Sequence, residues 1–125
     1  MKNSLKNDLG LAVLRIASSA MLLTHGIPKF QKLINGNFEF PNPLGIGASP
    51  SLFLAVIGEF VCPILIIIGY KTRWATVPPA IVMLVAAFMI HGSDPFKNKE
   101  LALLYLTALL TVMLLGPGRY SIDKR

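Results

Sequence analysis

Two ionisable residues, Arg15 and Glu59, lie inside apolar stretches of the sequence and are the first candidates for chemistry. A charged side chain that faces lipid costs several kcal/mol, so both residues must face other helices or water. If both stretches are helices, Arg15 and Glu59 differ in depth by roughly 8 Å, which a long arginine side chain largely covers. We therefore expect Arg15 and Glu59 to form a buried charge pair.

This expected charge pair has a structural and a catalytic interpretation. As a structural element it would hold two helices together, because either charge alone in a membrane is costly. As a catalytic element, Glu59 would accept a proton with Arg15 as its counter-charge, and a substrate that disturbs the pair would move that proton. The residue types alone leave both interpretations open.

A second group of polar residues stands where the apolar stretches end. It comprises His25, Lys29, His91 and Glu100, with Asp94 close by, and we expect it to form a substrate-binding polar pocket at one membrane face. Such a pocket suits a quinone headgroup, whose carbonyl oxygens accept hydrogen bonds and take up protons on reduction. His25 and His91 also resemble an axial pair for haem, although hydrogen bonding at a membrane interface explains them too. No second motif supports haem, and we predict no metal site.

Hydropathy predicts four helices that carry these residues across a membrane. A helix crosses a bilayer core of about 30 Å with roughly 20 apolar residues, and four apolar runs reach about this length. Arg15, His25 and Lys29 fall on one stripe of the first run at helical spacing, so that stripe must face the other helices. We predict an all-α fold, a four-helix transmembrane bundle with a long outer loop between helices 1 and 2. The predicted spans cover residues 9–30, 51–70, 74–91 and 95–115.

The connections between these spans carry their own signals. The loop over residues 31–50 is long and contains apolar side chains, so we expect it to re-enter or cap the bundle. Asp94 is the predicted N-cap of the fourth helix, with Pro95 at its first helical position. Gly116 and the proline after it predict where that helix ends.

The composition indicates one small membrane domain over residues 1–125. Hydrophobic residues make up 54% of the chain and charged residues 14%, which is far more apolar than a soluble domain of this size requires. A net charge of +6 would suggest nucleic acid in a soluble protein, but membrane topology explains basic residues at the ends of apolar runs. We therefore predict no nucleic-acid partner. The lone Cys62 excludes a disulfide within the chain and a CxxC redox pair.

An even number of spans places both termini on the same side of the membrane. Basic residues outside the hydrocarbon are more numerous on that side, and the positive-inside rule assigns it to the cytoplasm. We therefore predict cytoplasmic N- and C-termini. The terminal side carries Lys2, Lys6, Lys71, Arg73, Arg119, Lys124 and Arg125, and the other side carries Lys29, Lys32, Lys97 and Lys99.

Short motifs along nearly the whole chain resemble the DoxX family of small bacterial membrane proteins. The most distinctive is the run Gly-Pro-Gly-Arg-Tyr-Ser that begins at Gly116, together with the earlier Ala-Leu-Leu-Tyr that ends at Tyr105. Many relatives carry a glycine pair after the glutamate, where this chain has Cys62 and Pro63. The other motifs are Leu14-Arg15, His25-Gly26 with Lys29, Pro43 to Gly47, Gly58-Glu59, Gly69 with Thr72-Arg73, His91 with Asp94-Pro95-Phe96, and Lys99-Glu100.

The resemblance implies a four-helix protein of the bacterial inner membrane, surrounded by the lipid bilayer. It also implies a membrane subunit of, or accessory to, a redox complex, because relatives include a subunit of a thiosulfate:quinone oxidoreductase and proteins linked to oxidoreductase complexes in thiol and oxidative stress. Soluble redox enzymes would then be partners at the cytoplasmic face. Whether the chain itself is an enzyme stays open, as does a homo-oligomer. The candidates for quinone contact are Arg15, His25, Glu59, His91 and Glu100.

Two functions from other classes fit the same features. A small transporter or lipid-handling protein would also carry a charged intramembrane pair and helices broken by proline. A scaffold would instead use its basic tail, Arg119 to Arg125, to recruit soluble enzymes. Both alternatives stay open at the level of the sequence.

Overall fold

The computed structural model describes residues 2–124, with side chains described from Ser4 onward. Within these residues every regular element is helical, and four helices are long and apolar enough to cross a membrane. The predicted all-α, four-helix fold is confirmed. Arg125, which the predicted basic tail includes, lies outside the described residues. The helices are α1 (Lys2–Ile34), α2 (Ala48–Ile68), α3 (Thr72–Ile90) and α4 (Phe96–Leu115).

Helix α1 is longer than the predicted first span. Its 33 residues extend about 50 Å, well beyond a hydrocarbon core of about 30 Å. The polar residues before Leu9 continue the helix at one end, and Ile34 ends it at the other. Pro28 lies inside α1 without ending it, because a proline removes one backbone hydrogen bond while packing against neighbouring helices holds the rest.

Helices α2 and α3 each contain one turn of π-helix, Ile57–Val61 in α2 and Ala86–Ile90 in α3. In α2 the backbone N–H of Cys62 donates to the carbonyl of Ile57, five residues earlier. Pro63 follows directly and has no N–H to donate, so the regular α-helical pattern is interrupted at this point of the sequence. Single π turns inside α-helices are rare and often occur at functional sites.

The loop between α1 and α2 ends in a fixed turn. Gly47 precedes α2 with φ 109°, a conformation that glycine adopts without the steric cost of a side chain. The backbone N–H of Gly47 donates to Asn42 Oδ1 at 2.9 Å. Phe40 and Leu44 of this loop lie against a cavity between α2 and α3. The loop therefore caps this part of the bundle, as the sequence predicts.

The turn between α3 and α4 differs from the sequence prediction. Asp94 is not the N-cap of α4, because the helix begins at Phe96 and Pro95 occupies the cap position with ψ 152°. The Asp94 carboxylate instead lies 2.8 Å from Nδ1 of His91. The prediction was wrong because a histidine three residues earlier competes for the same carboxylate. Gly116 ends α4 with φ 84°, as predicted.

The core forms where all four helices meet. Leu22 of α1, Ile66 of α2, Met83 of α3 and Leu109 of α4 are buried together in one cluster. Helix α1 packs along α2, and α3 packs along α4. Half of the large apolar side chains of α4 are exposed on the outside of the bundle, with Leu114 at 78%. In a bilayer this surface lies against lipid, which is as apolar as the side chains themselves.

Candidate functional site

An ion pair between α1 and α2 occupies the interior of the bundle. Lys29 Nζ donates a hydrogen bond to Glu59 Oε2. The Glu59 side chain is 4% exposed and that of Lys29 is 28% exposed. The acid is therefore shielded on nearly all sides, while its basic partner keeps contact with the surroundings.

A close helix contact sets the register that brings Lys29 and Glu59 together. Gly26 of α1 packs directly on the backbone of Glu59, and a Cβ atom at Gly26 would lie 2.0 Å from the Glu59 carbonyl oxygen. Lys29 is three residues further along α1, a rise of about 4.5 Å, and its long side chain spans that distance. Arg15 is eleven residues before Gly26, a rise of about 16 Å, which is too far for its side chain to reach the acid.

The predicted charge pair between Arg15 and Glu59 is therefore wrong, although both residues are buried as expected, with Arg15 1% and Glu59 3% exposed. The Arg15 guanidinium donates to three backbone carbonyls instead. Its nitrogens lie 2.6 Å from the oxygen of Pro117, 2.7 Å from that of Tyr120 and 3.3 Å from that of Ile67. The carbonyls of Pro117 and Tyr120 lie beyond the end of α4, and that of Ile67 lies in the last turn of α2. Carbonyls at such positions lack a partner within a helix and can accept from a cation.

Residues 116–123, here called the C-terminal clasp, fold back over the ends of α1 and α2. The backbone N–H of Ile122 donates to the carbonyl oxygen of Ile68 at 3.1 Å, and the backbone N–H of Asp123 donates to the carbonyl oxygen of Gly69 at 2.9 Å. The Asp123 carboxylate accepts from the backbone N–H of Thr72 at 2.8 Å, at the start of α3. Arg15 thus joins α1, α2 and the C-terminal clasp at one end of the bundle, here called the clasp face.

An apolar cavity of about 140 Å³ lies beside the Lys29–Glu59 pair. The loop between α1 and α2 supplies Phe40 to its wall, and α3 supplies Ala86 and Ile90. Both π turns border this cavity, since Glu59 belongs to the first and Ala86 with Ile90 to the second. The remaining lining residues are Pro43, Leu44, Ser51, Leu54, Ala55, Ile81, Val82, Met83 and Val85.

The other residues predicted for a polar pocket do not line this cavity. His25 is exposed on α1. Its ring contacts the Tyr105 ring edge-on, with 5.7 Å between the two ring centroids. His91 pairs with Asp94 in the turn after α3, and Glu100 is exposed near the start of α4. Of the predicted group only Lys29 lines this cavity, and a pocket shared by the whole group stays a prediction. The two histidines have different partners, which gives no support to a haem held between them.

Sequence reasoning missed the role of the loop in closing the site. The Phe40 ring lies 5.7 Å from Lys29 Nζ and 6.0 Å from Lys32 Nζ, within the range of cation–π attraction. Ser51 is also buried, at 8% exposure, in the cavity wall. The only signal in the sequence was the set of apolar residues in an otherwise polar loop. These residues predicted that the loop contacts the bundle, but they did not identify the residues it contacts.

Comparisons with known proteins agree on one family. The model of the DoxX family matches residues 10–92. A Haemophilus influenzae (strain Rd) protein named "Uncharacterized protein" is 35% identical, with 92% of this chain and 89% of that protein covered. The Escherichia coli (strain K12) protein "Inner membrane protein YqjF" is 28% identical over 94% of this chain and 92% of its own length. The Bacillus subtilis (strain 168) protein "Putative oxidoreductase CatD" is 26% identical, with 93% of this chain and 86% of that protein covered. No solved structure matches the chain.

Proposed function

Because the chain belongs to the DoxX family of multi-pass membrane proteins, we propose that it is a membrane subunit of a bacterial redox complex and binds a quinone headgroup in the cavity beside Lys29 and Glu59. The observation that carries this proposal is a buried ion pair at the edge of an apolar cavity. A relative that carries the word oxidoreductase in its name supports the redox role. The bacterial inner membrane follows from the relative named for that membrane.

The size of the cavity is close to that needed for a six-membered ring, and its lining is mostly apolar. Engineered apolar cavities of about 150 Å³ bind benzene, and this cavity measures about 140 Å³. Its walls are almost entirely apolar, apart from Lys29, Glu59 and Ser51. Ligand sites commonly combine an apolar lining with a few polar groups that fix orientation.

The two charged residues have complementary roles in this proposal. The Lys29 ammonium donates a hydrogen bond to a ring carbonyl oxygen. Once Lys29 has turned to the ligand, the Glu59 carboxylate takes up protons from solvent one at a time and passes each to a ring oxygen, which supplies both protons of the quinol. A bound quinone supplies the redox chemistry, since it takes up two electrons and two protons to become a quinol. The electrons come from a soluble redox partner, and the flexible lysine stem lets Lys29 turn from Glu59 to the ligand.

We also infer that both termini face the cytoplasm, where a soluble partner would dock. The clasp face carries more basic residues than the opposite face, in line with the positive-inside rule. Cysteines introduced by Ser4→Cys and Asn37→Cys test this orientation in intact cells with a maleimide that cannot cross the inner membrane. Labelling of Asn37→Cys alone supports the assignment, and labelling of Ser4→Cys alone reverses it. Native Cys62 is buried and adds little background.

Quinone retained by the purified full-length chain tests the central proposal. The protein is extracted from its native membrane, and the organic extract is analysed by mass spectrometry beside an absorbance spectrum of the same sample. We expect quinone enriched over bulk lipid in the wild type and lost in Glu59→Gln. The variant Glu39→Gln is the matched control, because it removes the same charge from an exposed position and should retain quinone.

Other results would contradict the quinone proposal. A folded, colourless protein without enriched quinone would favour transport or scaffolding. Enriched phospholipid that depends on Glu59 would favour lipid handling. Absorbance bands of haem would make the protein an electron carrier and return His25 and His91 to consideration.

A further inference from the structure

A second pocket, of about 260 Å³, opens at the clasp face and shares no lining residue with the cavity beside Glu59. Its wall is formed mainly by the first residues of α3, among them Arg73 and Trp74, and by Lys71 just before that helix. We propose that this pocket binds the phosphate headgroup of an anionic phospholipid. The charge of the pocket, the partners of its one acidic residue and the exposure of its tryptophan all favour such a ligand.

Two cations in the pocket are available to a ligand. Lys71 and Arg73 are both exposed, and neither forms a salt bridge with a carboxylate of residues 2–124. Lys71 Nζ lies 5.6 Å from the centre of the Tyr70 ring, a contact that leaves its three N–H donors free to turn toward an anion. Arg73 adds a planar set of donors that suits phosphate oxygens.

The single acid in the pocket wall, Asp123, is turned toward the protein. Its carboxylate accepts from the backbone N–H of Lys71 at 3.0 Å and from the backbone N–H and hydroxyl of Thr72 at 2.8 Å and 2.9 Å. The buried Arg15 guanidinium also interacts with its charge. The negative charge of Asp123 is therefore already balanced, and the pocket presents mainly positive charge to a ligand.

The position of Trp74 indicates that the ligand is a lipid. Its side chain is 80% exposed at the very start of α3, where the apolar span ends. Tryptophan at such a position lies at the level of the lipid headgroups. Basic pockets between membrane helices at that level bind anionic headgroups. Three further exposed basic residues lie at the same end of the bundle, namely Lys6, Arg119 and Lys124.

Lipid retention measured by native mass spectrometry tests this proposal. The full-length chain is released from nanodiscs that contain phosphatidylglycerol and phosphatidylcholine. The ratio of bound phosphatidylglycerol to bound phosphatidylcholine is then measured. Each basic residue near a membrane surface contributes about a fivefold preference for anionic lipid. We therefore expect the double variant Lys71→Gln with Arg73→Gln to lower the ratio by about 30-fold. The charge-retaining swap Lys71→Arg with Arg73→Lys should keep a ratio close to wild type.

A matched double variant separates a local site from net charge. Lys97→Gln with Lys99→Gln removes the same two charges near the start of α4, on the opposite face, and should leave the ratio unchanged. An equal loss in this control would overturn the proposal, because net charge alone would then explain the preference. Displacement of phosphatidylglycerol by an excess of inorganic phosphate would also overturn it, since the pocket would then take a soluble anion. If the wild type shows no preference, the site does not exist.

Discussion

Arg15 and Glu59 are both buried in the same bundle, yet they have different kinds of partner. Arg15 donates to three backbone carbonyls at distances between 2.6 and 3.3 Å. Glu59 is paired with Lys29, a side chain that is 28% exposed and borders a cavity. Burial of a charge therefore does not by itself indicate chemistry, because the role of the charge depends on the nature of its partner.

The partners of Arg15 and of Glu59 differ in how easily they can move away from the charge. A backbone carbonyl of the C-terminal clasp cannot turn away from Arg15 unless the clasp itself opens. A lysine ammonium on a flexible stem can move to a new acceptor without any change in the backbone. We therefore propose that Arg15 serves the stability of the fold and that Glu59 serves ligand binding.

The largest loss of stability is expected from Arg15→Met. The change leaves the carbonyls of the clasp without their buried donor, so we expect the free energy of unfolding to fall by about 3–5 kcal/mol. Reversible unfolding in detergent measures this loss. The control Arg119→Met removes an exposed arginine from the same clasp and should change stability by less than about 0.5 kcal/mol. Equal stability of the two variants would show that Arg15 does not hold the clasp.

The next largest loss is expected from Gly26→Ala. A Cβ atom there would lie 2.0 Å from the Glu59 carbonyl, so α1 and α2 must separate at an expected cost of about 1–3 kcal/mol. Gly10→Ala is the matched control in the same helix, because no atom beyond its own stretch of helix lies within 4 Å of its Cβ position. It should be neutral or stabilising by up to about 1 kcal/mol. If the two variants unfold alike, Gly26 does not set the register.

A smaller loss is expected from Asp123→Ala, which removes the acceptor for the backbone N–H groups of Lys71 and Thr72. Loss of such an acceptor at a helix start costs about 1–2 kcal/mol. The exposed pair of His91 and Asp94 offers a contrast, since Asp94→Ala should cost about 0.5 kcal/mol or less. Thermal unfolding of both variants in one detergent gives the comparison. A greater loss in Asp94→Ala would contradict the assigned role of the clasp.

The smallest effect on stability is expected from Glu59→Gln, although its effect on ligand retention should be the largest. Glutamine keeps an acceptor for Lys29, and the lysine is partly exposed, so we expect a loss below about 1 kcal/mol. Parallel measurement of unfolding and of retained quinone separates the two effects. A loss of stability as large as that of Arg15→Met would make Glu59 a structural residue as well.

The sequence was sufficient to predict the four helices but not their register. Long apolar runs identify membrane spans because a bilayer has a fixed thickness. The level at which α1 meets α2 depends on one close contact, that of Gly26 on the backbone of Glu59. A glycine in a predicted helix signals that close packing is allowed, but it does not name the partner. The partner of Glu59 was therefore assigned to Arg15 instead of Lys29.

Sequence patterns did not predict the C-terminal clasp, for a related reason. The Gly-Pro-Gly run correctly predicted the end of α4, yet its carbonyls carry no side-chain signature that marks them as partners of Arg15. Backbone acceptors look alike in every sequence. The cavity was missed in the same way, since Phe40 and Leu44 reach it from a loop whose path depends on the whole fold.

Photo-crosslinking with an azido-quinone shows where the ligand lies in the folded wild-type chain, and so whether the cavity beside Glu59 is a quinone site. We expect labelling of the cavity wall, at Phe40, Leu44 or residues 81–90, with protection by excess unlabelled quinone. The variant Glu59→Gln should lose this protected labelling while it remains folded. Labelling confined to the outer surface of α4, or unchanged labelling in Glu59→Gln, would contradict the claim that the Lys29–Glu59 pair serves a ligand site.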